Sequence, residues 1–168
     1  MQVIDNFLPN FVHQRIYEQV VDNQWFPFYY HQYVAFKEDE NDLKQFCFVH
    51  SLYNDQKIIS PHFFPIIGLP FVDKLEIPNG KLIRIKVNLN VNQQEQIPSA
   101  WHTDWNCEHT TALYYLNTNN GYTEFKDGTT VESVANRVVI FDGSLEHRGV
   151  TQTNAKGRFA ININYETN

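Results

Sequence analysis

The chain is 168 residues long, 42% hydrophobic and 15% aromatic, which suits one packed domain and excludes a disordered segment. Its formal net charge is −6 and it has no basic tract, so a nucleic-acid backbone is a poor default partner. Two cysteines, Cys47 and Cys107, do not make a disulfide framework, and no run reaches the roughly 18 apolar residues of a membrane span. The opening stretch, MQVIDNFLPN, lacks the pattern of a secretory signal, so reduced thiols and a cytoplasmic setting are expected.

The first predicted element is a helix. Leu8, Phe11, Val12, Ile16 and Val20 recur at spacings of three and four, with Pro9 and Asn10 as start signals and an end near Asn23. Its expected role is to cover one face of a sheet. WFPFYYHQYVAF is dense in aromatics that pack in a core or wall a pocket, and EDEND, at 38–42, reads as a solvated loop. QFCFVHSLY reads as a strand, and the stretch from Ser60 as a short helix interrupted by prolines.

From Lys81 the pattern becomes strand after strand. In KLIRIKVNLNV, Ile83, Ile85, Val87, Leu89 and Val91 share one face, and Arg84, Lys86, Asn88 and Asn90 the other. AWHTDW, TTALYYLN, GYTEF, TTVESV, RVVIFDG, HRGVT and RFAININYE follow, with NTNNG and KDG as hairpin-like turns. Such closely spaced strands predict a mainly β sandwich or barrel. The last strand alternates too: Phe159, Ile161, Ile163 and Tyr165 oppose Arg158, Ala160, Asn162 and Asn164. That polar face is either a solvent face or the lining of a pocket inside an open-ended barrel.

In WHTDW a strand would project His102 and Asp104 to the same side. His147, after the strand that ends at Asp142, is a third candidate ligand. Two imidazoles and one carboxylate on one face of a metal leave three positions open, the arrangement of the facial triad of non-haem Fe(II) sites. Such a site favours an anionic chelator, whose far carboxylate Arg158 can grip through paired hydrogen bonds, with the Tyr115 hydroxyl assisting. His109 reads as a surface or turn residue, Cys107 as a small apolar residue, and Arg148 as pointing away from His147.

The ordered set WHTD, TALYYLN, GYTEF, RVVIFDGSLEHRGV and GRFAININY resembles the core of Fe(II)- and 2-oxoglutarate-dependent oxygenases, most closely the prolyl-hydroxylase-like branch. VIDNFLPNFVHQRIYEQV is similar to the lead-in helix of that branch. The resemblance implies a double-stranded β-helix of the jelly-roll or cupin-like kind at 81–168, with N-terminal helices from a mixed lead-in at 1–80 packed on one sheet. It implies iron on His102, Asp104 and His147, and the distal carboxylate of 2-oxoglutarate on Arg158 and Tyr115. Many relatives carry a cosubstrate-binding Tyr on the strand before the H-x-D motif; here Asn88 or Asn90 stands in that region. The segment from Gln93 to Pro98 is expected to cover the substrate. The implied activity is hydroxylation coupled to 2-oxoglutarate and dioxygen, with ascorbate as a candidate accessory reductant. The implied substrate is a peptide or small molecule, a peptidyl proline first. The alternative readings are a cupin-like metal- or ligand-binding barrel and a non-catalytic sandwich with His102 and Asp104 on its surface.

Overall fold

The computed structural model describes residues 1–37 and 42–167; the loop expected at 38–42 lies, apart from Asp42, outside them. A short β1 (Gln2–Ile4) precedes α1 (Asn10–Tyr17), which runs into a π-helical turn at Glu18–Asp22. The helical path starts after Pro9, whose carbonyl accepts from the amides of Val12 and His13. It stops at Asn23, where the backbone becomes extended. Ile16 and Val20 are buried as the periodicity requires, but Phe11 is 77% exposed. The first turn of α1 points Phe11 off the sheet, and Leu8, just ahead of the helix, fills the core instead.

β2 (Tyr29–His31), β3 (Cys47–Asn54) and β4 (Lys57–Ile58) lead to a second π-helical turn at Phe64–Gly68 and to α2 (Leu69–Lys74). Then come β5 (Leu82–Val91), β6 (Thr110–Tyr115), β7 (Tyr122–Phe125), β8 (Thr130–Glu132), β9 (Arg137–Asp142), β10 (His147–Val150) and β11 (Gly157–Tyr165). Among the described residues, one sheet has eight strands in the order β1-β9-β6-β11-β5-β3-β2, with β4 on β3; a smaller sheet is ordered β10-β7-β8. The strands of the lead-in are therefore woven into the main sheet, β2 and β3 extending one edge and β1 the other, while its helical segments lie on one face.

Two expectations change. AWHTDW is not a strand: only His102 pairs, in an isolated bridge with His147. NTNNG does not close a hairpin, because β6 and β7, which it joins, belong to different sheets. KDG does close one: β7 pairs with β8, and Gly128 takes φ +89°, a left-handed conformation that suits glycine.

The alternation along each strand divides the main sheet into an apolar outer face and an inner face that is apolar mainly along β6 and β9. Its outer face, including Ile85, Val87, Tyr114, Ile161 and Ile163, packs on Ile16, Val20, Ile67 and Phe71 of the helical segments. Its inner face, including Leu113, Tyr115, Val139 and Ala160, meets Phe125 and Val131 of the small sheet. Each such large apolar side chain contributes about 1.5–3 kcal/mol on burial. Beyond this second cluster the facing sheets leave a cavity of about 530 Å³, lined by polar residues of β5 and β11.

Candidate metal centre and cosubstrate cavity

β5 and β11 are paired in register with Asn90 opposite Arg158, Asn88 opposite Ala160, Lys86 opposite Asn162 and Arg84 opposite Asn164. Facing residues of an antiparallel pair share a side, so the polar face of both strands forms one wall. The segment Ile97–His102 supplies part of the opposite side. Ile97 donates to Thr151 Oγ1, Ser99 takes Gly149 O, Pro98 bridges Val150, and His102 exchanges two 3.0 Å backbone hydrogen bonds with His147.

That last exchange joins two distant parts of the chain and sets the two imidazoles side by side, 4.7 Å between ring centroids. The ligand atoms of His102, Asp104 and His147 all lie within 4.8 Å of one another. Each histidine directs Nδ1 at a backbone carbonyl two residues earlier, Ala100 at 3.1 Å and Leu145 at 3.0 Å. A carbonyl can only accept, so Nδ1 carries the proton and Nε2 keeps its lone pair for a metal. Burial holds the His102 imidazole below its ordinary pKa and so neutral.

Asp104 is held from several sides. Arg84 Nη2 donates to Oδ1 at 3.1 Å; Asn162 and Asn164 donate to Oδ2 at 2.9 and 3.2 Å, and Thr111 Oγ1 at 3.3 Å. Burial by itself would raise its pKa, but the charges of Lys86 and Arg84 and the Asn162 hydrogen bond outweigh that and leave it well below the usual carboxylate range. Arg84 also lies over the Trp105 ring, 5.3 Å from its centroid. Lys86 lines the cavity, where burial and then Arg84 pull its pKa down to about 8.

At the other end is Arg158, 6% exposed. Its Nε donates to Ser133 Oγ at 2.8 Å and its Nη2 to Thr123 Oγ1 at 3.1 Å. No carboxylate pairs with it among the described residues. A buried cation with only neutral partners is costly unless a ligand supplies the counter-charge. Tyr115 does not line the cavity; it is fully buried, its hydroxyl donates to Thr123 Oγ1 at 2.8 Å, and Arg158 lies over its ring. Asn88 and Asn90 both line the cavity, as do His31, Tyr33, Val34 and Ala35 from the aromatic segment.

Compared by sequence, the chain matches no family model and no curated protein. Compared by structure, it superposes on a prolyl hydroxylase from Trichoplax adhaerens, solved with a hypoxia-inducible-factor oxygen-degradation-domain peptide fragment. The TM-score is 0.67 at 14% identity, over 98% of this chain and 82% of that one. A Pseudomonas putida prolyl-4-hydroxylase gives 0.59 at 14% identity, over 98% and 91%. The non-haem α-ketoglutarate-dependent epimerase SnoN of nogalamycin biosynthesis gives 0.62 at 13% identity, over 97% and 76%. The chain has the double-stranded β-helix fold of these oxygenases. In that fold the H-x-D loop and β10 bring the triad together at one end of the cavity, and β11 sets Arg158 at the other.

The alternation that groups Asn88 with Asn90 also carries Arg84 and Lys86, and the structure brings all four to the same wall. The grip of Arg84 on Asp104 is the feature that sequence reasoning missed, because the carboxylate arrives from a loop that no strand pattern orients. His109 is buried rather than on the surface: Nδ1 faces Cys107 O at 2.7 Å and its ring packs over Gly143. Arg148 pairs with Glu124 and lies over Trp101, 4.3 Å from its centroid, away from the triad. Both cysteines are free, Cys47 buried and Cys107 exposed. No helix of the described residues is long and apolar enough to cross a membrane.

Proposed function

We propose that the protein is an Fe(II)- and 2-oxoglutarate-dependent dioxygenase that hydroxylates its substrate, a peptidyl proline first among candidates. The observation that carries this reading is Arg158: a buried guanidinium at the far end of a cavity from a two-histidine, one-carboxylate cluster, with no acid among the described residues paired to it. A barrel that only held a metal would have no use for that charge.

The donors present fit the groups this chemistry needs. His102, Asp104 and His147 would hold the iron, a neutral-imidazole and carboxylate set suited to Fe(II) with open positions. Arg158 would hold the distal carboxylate of 2-oxoglutarate by paired, charge-assisted hydrogen bonds. Bound together, iron and cosubstrate supply the oxidising power for hydroxylation, with dioxygen consumed and succinate and carbon dioxide released.

The chain's own residues do the rest. Asn162, Asn164, Thr111 and Arg84 orient Asp104 and keep it ionised, so one oxygen faces the ligand cluster without a proton to lose. Ala100 and Leu145 carbonyls fix the histidine tautomers. Tyr115 and Ser133 act as positioning residues for Arg158, the ring beneath it and the hydroxyl on Nε. Asn88 and Asn90 would offer amide groups along the cosubstrate. Leu113 and Ala160 form an apolar floor, which limits water beside the reacting groups.

Prolyl peptides favour the first substrate class because two of the superposed structures are prolyl hydroxylases. The test is an aerobic incubation of the protein with Fe(II), 2-oxoglutarate and a prolyl peptide library, read by mass spectrometry. Succinate together with a peptide that gains one oxygen atom supports the proposal. Succinate without peptide oxidation moves the substrate to another class, and no iron-dependent succinate overturns the oxygenase reading.

A further inference from the structure

Among the described residues, three cationic side chains line the cavity, Arg84, Lys86 and Arg158, against a single acid, Asp104. Two of the three have an assigned use. Arg84 is spent on Asp104 at 3.1 Å, and Arg158 faces the cosubstrate end. Lys86 has no direct partner: among the described residues it makes no hydrogen bond and no ion pair, and it acts on Asp104 only through its charge.

Its place is defined by the sheet. Lys86 lies between Ser51 of β3 and Asn162 of β11, and Asn162 donates to Asp104 at 2.9 Å. The register puts Arg158 beside Asn90, four residues further along β5, about 13 Å away at the backbone. Lys86 therefore stands at the metal end of the cavity, where a substrate must approach. The rest of the nearby lining is neutral: Val49 and Ser51 on β3, Tyr33, Val34 and Ala35 beyond it, and Ile59.

We propose that Lys86 receives a carboxylate or phosphate of the substrate, so that the molecule oxidised here is an anion at the point where it meets the metal ligands. The inference rests on the oxygenase reading above and narrows it. A neutral substrate that filled the cavity would strip water from the ammonium and return no partner, which is unfavourable. An anion returns a charge-assisted hydrogen bond and is drawn into a cationic cleft on an otherwise acidic protein with net charge −6.

The test uses the full chain loaded anaerobically with Fe(II) and 2-oxoglutarate and titrated calorimetrically with matched probes. N-acetylproline is set against its amide, N-acetylalanine against its amide, and phenyl phosphate against phenol. The proposal expects at least one anion class to bind about tenfold or more tightly than its neutral partner, the value of one charge-assisted hydrogen bond. Whether carboxylate or phosphate wins names the source of the charge. Lys86→Met should remove the preference and Lys86→Arg restore it, while both variants still bind Fe(II) and 2-oxoglutarate. Equal binding of charged and neutral partners, or no binding by any anionic probe, overturns the proposal. So does a Lys86→Met variant that loses 2-oxoglutarate instead. If wild-type protein fails to take up iron or 2-oxoglutarate, the oxygenase reading falls separately, and the anion preference is read on the metal-free protein. Alanine probes that bind as well as proline probes count against the prolyl class alone.

Discussion

Arg158 Nε and Nη2 donate to two hydroxyls, Ser133 and Thr123, neither of which carries charge. Arg158→Met should raise the 2-oxoglutarate concentration for half-saturation by about 10- to 100-fold, the loss of a charged hydrogen-bonded pair, with Fe(II) affinity unaltered. Arg158→Lys keeps the charge without the fork and should fall between. Initial rates against cosubstrate check both; an unchanged requirement removes Arg158 from the site. Arg84 makes a second residue-scale prediction. With Asp104 less firmly held, Arg84→Gln should weaken Fe(II) binding about 10- to 100-fold, measured by anaerobic titration, with unfolding free energy little affected. At this scale the triad and Arg158 were legible because residue type carries their chemistry. The hold of Arg84 on Asp104 was not, because it depends on where a loop comes to rest.

Among the elements, the turn before β7 positions Arg158 by leaving room for it. A Cβ at Gly121 would stand 2.8 Å from Val150 O and 2.9 Å from Arg158 Cδ. Gly121→Ala should therefore raise the cosubstrate requirement while iron binding persists; kinetics beside metal titration distinguish this from general unfolding. The segment at 93–98 is tied at both ends: Gln93 donates to Lys44 O, Gln96 to Asn120 O, and Ile97 to Thr151 Oγ1. Shortening it should depress substrate turnover more than 2-oxoglutarate binding, and equal losses of both would count against a covering role. Alternation was a sound guide to β5 and β11, whose two faces meet a core and a cavity. It misled for AWHTDW, where a single bridge pair does the positioning that a whole strand was expected to do. Helical periodicity found α1 but misjudged Phe11, which the first turn of the helix points off the sheet while Leu8 fills the core.

For the molecule as a whole, buried neutral histidines set the response to acid. His13 and His50 have pKa values lowered by burial, His50 among Phe26, Tyr29 and Phe63. Their folded pKa values lie below the unfolded value of about 6.5, so the unfolded chain takes up more protons as pH falls through that value. The contribution of these histidines to stability should be constant above about pH 7 and decline below about 6.5. Thermal unfolding of the metal-free protein across that range checks this, and a midpoint that rises on acidification contradicts it. A sandwich or barrel was legible from strand spacing, and the β-helix from the resemblance, but the recruitment of β1, β2 and β3 into the main sheet was not, since long-range pairing leaves no local pattern in the chain. The proposed function requires His102, Asp104 and His147 to hold one ferrous ion together, and 2-oxoglutarate binding to depend on it. Anaerobic calorimetric titration tests it most directly. It should give one Fe(II) per chain, 2-oxoglutarate binding that strengthens sharply once iron is present, and loss of both in Asp104→Ala and His147→Ala. Iron binding that survives both substitutions, or 2-oxoglutarate binding indifferent to iron, would contradict it.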